Sequence, residues 1–111
     1  MAWVRVTGEL DLVTAPELSQ TLGHAEARAR RVVLDLRELT FMDISGVHAI
    51  VDAGARATAA GRQLVLVRGP ARVDRVLALT GARDRLDIVD LDPAAPPVQA
   101  LVQLARRQHA A

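Results

Sequence analysis

Buried strand patterns and helical patterns alternate along this sequence of 111 residues, and this alternation restricts the fold more than any other feature. The run RVVLDL, residues 31–36, is rich in β-branched residues and predicts a central strand buried on both faces. In residues 46–60 the apolar positions recur at helical spacing, and QLVLV, residues 63–67, predicts the next strand. Alternating elements of this kind predict an α/β domain with a mixed or parallel sheet.

Weaker patterns complete the prediction on both sides of this central unit. Residues 14–17 have the Thr-x-x-Glu form of a capping box, which predicts a helix from Ala15 to Arg28. The other predicted elements are a strand at 3–6, a short helix with its apolar face at Val73, Val76 and Leu77 that ends at Gly81, a strand at 86–89, a proline-rich connector at 92–97, and a C-terminal helix with its apolar face at Val98, Leu101, Val102 and Ala105. The length fits a single domain, residues 1–111.

The composition argues against several kinds of site. The chain has no cysteine, which removes disulfides, thiolate catalysis and cysteine-ligated zinc, and its three histidines are too scattered to predict a metal site. Trp3 and Phe41 are the only aromatic residues and the arginines are spread along the chain, so we expect no nucleic-acid partner. No apolar run approaches ~20 residues and no secretory signal is visible, so we expect a cytoplasmic protein that does not enter a membrane.

Three polar residues, Asp43, Ser45 and His48, crowd the point where a strand pattern gives way to a helical one. They include the residue types of a hydrolase triad, but triad members normally come from separate segments, and the Gly-x-Ser-x-Gly elbow is missing. One aspartate and one histidine do not form a metal site, and a phosphate-cradling loop needs a lysine, which this chain lacks. We therefore expect neither an enzyme nor a bound cofactor.

Two interpretations of these residues remain open. Asp and Ser are both preferred helix N-caps, so either Asp43 or Ser45 could cap the helix at 46–60. Alternatively, Ser45 is a switch that lies against unpaired amides at the positive end of the helix dipole, where a phosphate is tolerated. That phosphate would repel a partner through its bulk and its charge of roughly −2. In this interpretation Gly46 leaves the approach to Ser45 open.

The segments TGELDLVTAPEL, VVLDLRELTFMDISGVHAI and GRQLVLVRGPARVDRVLALTG, in this order, resemble the STAS domain of bacterial anti-sigma-factor antagonists. The resemblance covers about residues 4 to 89. It implies the STAS fold, a four- to five-stranded mixed sheet with about four helices. It also implies a partner, an anti-sigma factor that is a serine kinase of the histidine-kinase-like ATPase class. This kinase phosphorylates the serine of Asp-x-Ser-Gly and so ends the binding, and a serine phosphatase reverses the modification.

Residue by residue, the resemblance makes Ser45 the phosphorylated serine, with the acidic Asp43 before it and Gly46 after it. Asp11 matches an aspartate in the loop beside that surface, and it is expected to contribute to partner contact. The predicted function is an anti-sigma-factor antagonist that phosphorylation of Ser45 switches off. The alternative is a STAS interaction subunit of a lipid-transport or stress-signalling complex that is never phosphorylated, in which Ser45 is only a cap.

Three departures from the family pattern bear on the partner. Ile44 stands where a small residue is usual, and it would add an apolar contact if exposed or only packing if buried. His48 replaces a frequent glycine, and two interpretations of it stay open: at helical spacing from Ser45 it could approach a phosphate there, or it is only a solvated helix residue. The usual N-terminal strand is short or missing, which leaves a sheet edge open to pairing with another chain, so a homodimer is among the expected assemblies.

Overall fold

The computed structural model describes residues 1–91, in which three α-helices and one 3₁₀ helix accompany a four-stranded sheet. The elements in chain order are β1 (Ala2–Leu10), α1 (Ala15–Arg28), β2 (Arg31–Met42), α2 (Ile44–Ala59), β3 (Gln63–Val67), α3 (Ala71–Leu79), the 3₁₀ helix (Ala82–Arg85) and β4 (Asp87–Val89). The predicted connector at 92–97 and the predicted C-terminal helix lie outside the described residues.

The sheet has the strand order β1-β2-β3-β4, and all three pairings between these strands are parallel. The mixed sheet that the family resemblance implied is therefore not what residues 1–91 form. The reason is that a helix follows each of the first three strands and returns the chain to the same end of the sheet, which produces parallel neighbours. β1 begins at Ala2, lies at the edge of the sheet and pairs with β2 alone among these strands.

β1 and β2 run further than predicted. The predicted strands end at residues 6 and 36, whereas β1 continues to Leu10 and β2 to Met42. The added residues pair with each other, from Thr7 opposite Glu38 to Leu10 opposite Met42. The register is irregular between Arg5 and Thr7, just before this stretch, and again between Gly8 and Glu9. The carboxyl ends of these two strands consequently lie side by side, and the loops that follow them are neighbours.

The main core lies between one face of the sheet and the helices. Aliphatic side chains fill it, as expected of a chain with only two aromatic residues. Its largest fully buried members are Leu10, Leu22, Leu34, Leu36, Leu39, Ile50, Leu66 and Leu77. A smaller cluster of Val33, Val65 and Val67 is buried on the opposite face, because successive strand residues point to opposite sides. The prediction that β2 is buried on both faces at residues 31–36 is thus confirmed for its central positions.

Candidate functional site

The carboxyl ends of β1 and β2 bring the loop that contains Asp11 next to the start of α2. Leu10 lies opposite Met42 in the ladder, and the backbone N–H of Asp43 donates to the carbonyl oxygen of Leu10 at 3.1 Å. Ligands of open parallel sheets generally bind at this edge. The predicted site residues Asp11, Asp43 and Ser45 therefore belong to two adjoining segments at one edge of the sheet.

Asp43 is the N-cap of α2. Its backbone is extended, and its side chain accepts hydrogen bonds from the backbone N–H of Ser45 at 2.9 Å and of Gly46 at 3.4 Å. Of the two residues predicted as alternative caps, the structure thus selects Asp43. The expectation that unpaired amides lie against Ser45 is wrong, because the carboxylate of Asp43 already occupies the amides of residues 45 and 46.

Ser45 is left with a hydroxyl that has no hydrogen-bond partner within residues 1–91, and its side chain is partly exposed in the first turn of α2. The carboxylate of Asp43 binds amides rather than the imidazole of His48, so the three residues do not form the chain of nucleophile, base and orienting acid that a triad requires. The Ser45 hydroxyl is instead placed where another protein can reach it.

Ile44 and His48 are exposed on α2 on either side of Ser45 in the sequence. Ile44 is 50% exposed, so it is not a buried packing residue, and the apolar surface contact stays a prediction. His48 follows Ile44 by four residues and Ser45 by three, so it shares a helix face with both. Neither a hydrogen bond nor an ion pair involves the His48 side chain within residues 1–91.

Gly46 has a packing role that differs from the predicted one. It is buried, and a Cβ atom at this position would lie 2.8 Å from the Cγ atoms of Leu10 and Met42. The missing side chain lets α2 approach the ends of β1 and β2 closely. Gly46 therefore faces the core, and the expectations that it contacts a partner and opens the approach to Ser45 are corrected.

Asp11 organises the loop between β1 and α1. Its carboxylate accepts hydrogen bonds from the backbone N–H of Thr14 at 3.1 Å and of Val13 at 3.0 Å. These hydrogen bonds hold the pKa of Asp11 below its ordinary value, and the bond from the N–H of Thr14 has the largest effect. The predicted capping box is wrong, because the side chain of Thr14 does not cap α1. Its hydroxyl lies 3.0 Å from the carbonyl oxygen of Glu9 and accepts from the N–H of Asp11 at 2.9 Å.

Sequence reasoning missed two residues of this loop. Leu12 is 74% exposed and Val13 is 83% exposed, although apolar residues are ordinarily assigned to a core. With Ile44, and with Phe41 near the end of β2, they give this end of the sheet four exposed apolar side chains beside its two aspartates. Exposed apolar side chains gathered at one place are typical of surfaces that bind other proteins. No pattern in the sequence distinguishes such residues from buried ones.

Other kinds of site find no support in the part of the chain that the structure describes. None of the helices between residues 1 and 91 combines the length and the apolar character needed to cross a membrane. In the same residues, His, Asp and Glu side chains form no group of three or more that could hold a metal ion.

Comparison with known families agrees with the sequence resemblance. Residues 1–94 match the profile of the STAS domain. This chain belongs to the STAS domain family. The anti-sigma-B factor antagonist of Listeria monocytogenes is 30% identical over 88 residues, which are 78% of this chain and 77% of that protein.

Solved structures share the same fold. The anti-sigma factor antagonist SpoIIAA in its unphosphorylated form superposes with a TM-score of 0.73 at 20% identity, over 94% of this chain and 87% of that one. The Bacillus cell fate determinant SpoIIAA in its phosphorylated form superposes with a TM-score of 0.68 at 19% identity, over 92% and 88%. At these identities the structures establish the STAS fold of this chain and leave its activity to be argued from its own residues.

Proposed function

We propose that this STAS domain is an anti-sigma-factor antagonist whose binding to an anti-sigma factor is controlled by phosphorylation of Ser45. The partner is a serine kinase of the histidine-kinase-like ATPase class, and a serine phosphatase restores the unmodified form. One observation carries the proposal: the Ser45 hydroxyl is partly exposed and uncommitted within residues 1–91, while Asp43 caps the helix. The name of the Listeria relative, an anti-sigma-B factor antagonist, supports an anti-sigma factor as the partner.

The proposed switch acts through charge at an edge that already carries two carboxylates. A phosphate on Ser45 adds roughly −1.5 to −2 charges at neutral pH. Because Asp43 already accepts from the first-turn amides, these amides do not pair with the phosphate, and the helix dipole alone favours it locally. The added charge therefore stays on the surface, where it repels an acidic face of the anti-sigma factor, and contact with an apolar face would cost the desolvation of the phosphate.

The switch does not require the domain to unfold. The buried residues of this turn of α2 are Gly46 and Val47, whereas the Ser45 side chain makes no hydrogen bond in the described residues. Phosphorylation of Ser45 thus alters the surface and leaves the packing beneath it in place. A reversible modification requires that the surface can change while the core packing stays the same.

The test is phosphorylation by the purified anti-sigma factor, identified first by pull-down with the wild-type protein. After incubation with ATP, intact-mass measurement should show one phosphate on the wild-type protein and none on Ser45→Ala. Ser19→Ala is the matched control, because Ser19 is the only other serine of the chain, and it should be modified like the wild type. Modification of Ser45→Ala to the wild-type extent would refute the site.

Exposed Ile44 favours a second candidate, because it stands where the family pattern usually has a small residue beside the serine. This candidate is a STAS interaction subunit of a lipid-transport or stress-signalling complex that is never phosphorylated. A purified partner that binds the wild type and Ser45→Ala equally, and modifies neither with ATP present, would establish it in place of the switch.

A further inference from the structure

A phosphate on Ser45 finds few free donors in the backbone of α2. The N–H groups of Ser45 and Gly46 already donate to the carboxylate of Asp43. The N–H of Val47 donates to the carbonyl oxygen of Asp43 at 3.2 Å. Such amides are the groups that hold an anion at a helix N-terminus. A phosphate at this position therefore has to find its donors among side chains or in water.

His48 is the side chain of α2 that is placed to supply this contact. It follows Ser45 by three residues, and side chains at this spacing are neighbours on a helix surface, with Cβ atoms about 5–6 Å apart. It is exposed, and its imidazole takes part in no hydrogen bond or ion pair within residues 1–91. Arg56 is the other α2 residue able to carry a positive charge, but it lies near the far end of the helix and pairs with Glu26 at 3.9 Å.

We propose that His48 binds the phosphate of phosphorylated Ser45 within the same chain. The inference rests on the function proposed above and deepens it, because it names the residue that positions the phosphate in the switched-off form. A protonated imidazole donates from both ring nitrogens, and the phosphate offers three acceptor oxygens and roughly −1.5 to −2 charges. The contact forms after the γ-phosphoryl group of ATP has passed to the Ser45 Oγ, with release of ADP and the hydroxyl proton. His48 therefore takes no part in the transfer itself.

Two other charged side chains of the described residues lie close to His48 and act in opposite directions. His48, Asp52 and Arg85 all line a groove between α2 and the 3₁₀ helix. Asp52 follows His48 by four residues and attracts a protonated imidazole, whereas Arg85 repels it from across the groove. Each carries a single charge, so the larger charge of the phosphate decides where a protonated imidazole lies.

The contact extends the effect of the phosphate to the apolar surface beside Ser45. His48 follows Ile44 by four residues, and Ile44 is half exposed on the same side of α2. A phosphate drawn toward His48 therefore lies over the side of the helix that includes Ile44. There it places a charge and its bound water next to an apolar group, and a partner that covers this group has to remove that water.

The experiment uses ³¹P NMR to measure the pH at which the phosphate on residue 45 loses its last proton, at low ionic strength where screening is weak. Phosphoserine is inserted at position 45 during translation, so the measurement does not depend on the kinase. A cation beside the phosphate favours the dianion, so this midpoint should lie about 0.2–0.5 pH units lower with His48 present than in His48→Gln. His48→Arg should restore the low midpoint, because a guanidinium is always charged and binds phosphate well.

His24→Gln is the matched control. His24 is likewise an exposed histidine on a helix, but it belongs to the second half of α1, which runs away from this edge of the sheet. Its replacement should leave the midpoint unchanged. Circular dichroism should show the same fold in all variants, because both histidines are exposed.

The outcomes separate this inference from the proposed function. Equal midpoints with His48 and in His48→Gln overturn the contact and leave the switch at Ser45 standing. An equal rise of the midpoint in His24→Gln assigns the effect to net charge and also overturns the contact. An anti-sigma factor that binds the wild type and leaves Ser45 unmodified with ATP overturns the proposed function, and the contact then loses its role whatever the midpoints are.

Discussion

Gly46→Ala places a methyl group where α2 crosses the ends of β1 and β2, directly beneath the proposed switch. The new Cβ would lie 2.8 Å from the Cγ of Leu10, 2.8 Å from the Cγ of Met42 and 2.9 Å from a Cδ of Leu10. Optimal carbon–carbon contacts are about 3.5–4.0 Å, so all three contacts are too short. Leu10 and Met42 are only 1% and 2% exposed, so neither side chain can move into solvent to make room.

The expected loss of stability follows from two opposing effects. Overpacking of a core by one methyl group costs about 1–3 kcal/mol. Alanine in a helix is favoured over glycine by roughly 0.5–1 kcal/mol, which offsets part of that cost. We expect a net loss of about 0–2.5 kcal/mol in the free energy of unfolding. Each kcal/mol lowers the Tm of a domain of this size by roughly 4–8 °C.

Gly23→Ala is the matched control. Gly23 lies inside α1, and a Cβ there would meet no atom within 4 Å, so this variant keeps the helical gain without the overlap. Urea unfolding followed by circular dichroism should separate the two variants by about 1–3 kcal/mol, because the helical term cancels between them. Equal stability of the two variants would refute the packing role assigned to Gly46.

Three further predictions concern the cap, the switch and a buried carboxylate. Asp43→Ala should lower the free energy of unfolding by about 0.5–2 kcal/mol through loss of the cap. Ser45→Ala should change it by less than about 0.5 kcal/mol. If urea unfolding shows that Ser45→Ala loses more stability than Asp43→Ala, Ser45 is the cap. Ser45→Asp should fold normally and bind the anti-sigma factor about tenfold or more weakly, unlike Ser19→Asp, and unchanged affinity in calorimetry would count against the charge switch. Glu26 is buried with one carboxylate oxygen unpartnered in residues 1–91, and burial raises its pKa despite the nearby Arg56. The stability linked to Glu26 is therefore present below its unfolded pKa and is lost as the pH rises through the raised value. At neutral pH the Glu26→Gln variant should have a higher Tm than the wild type, and its Tm should fall less than that of the wild type between acidic and neutral pH. A Tm below that of the wild type at neutral pH would contradict this prediction.

Elements with a local sequence pattern were predicted most closely. α1 and β3 begin and end at the predicted residues, because periodicity and flanking breakers lie within the segments themselves. The ends of β1 and β2 were missed for a physical reason. Residues 7–10 and 38–42 are mostly exposed, and the polar–apolar alternation at 38–41 is only four residues long; they form strands because they pair with each other. Such pairing depends on the tertiary arrangement and leaves little trace in either segment.

The predictions for the candidate site also succeeded where the local sequence was sufficient and failed where contacts between distant segments decide. Residue type and position at a strand–helix boundary were enough to single out Asp43 and Ser45, but not to decide which of them caps the helix. The role of Gly46 depends on Leu10 and Met42, which come from two other segments, so no local pattern contains it. The exposure of Leu12 likewise depends on where its loop leaves the sheet.

The proposal that Asp43 caps α2 while Ser45 stays available for phosphorylation can itself be tested. While the carboxylate of Asp43 holds the amides of residues 45 and 46, a negative charge at residue 45 gains only the dipole of α2. In Asp43→Ala these amides lose their acceptor, so Ser45→Asp should stabilise that background more than it stabilises the wild type. We expect a coupling of about 0.5–1 kcal/mol in a double-mutant cycle measured by urea unfolding. If Ser45→Asp changes the free energy of unfolding of the wild type and of Asp43→Ala by the same amount, the carboxylate of Asp43 does not prevent these amides from pairing with a negative charge at residue 45. The argument that a phosphate on Ser45 remains exposed to the partner would then fail.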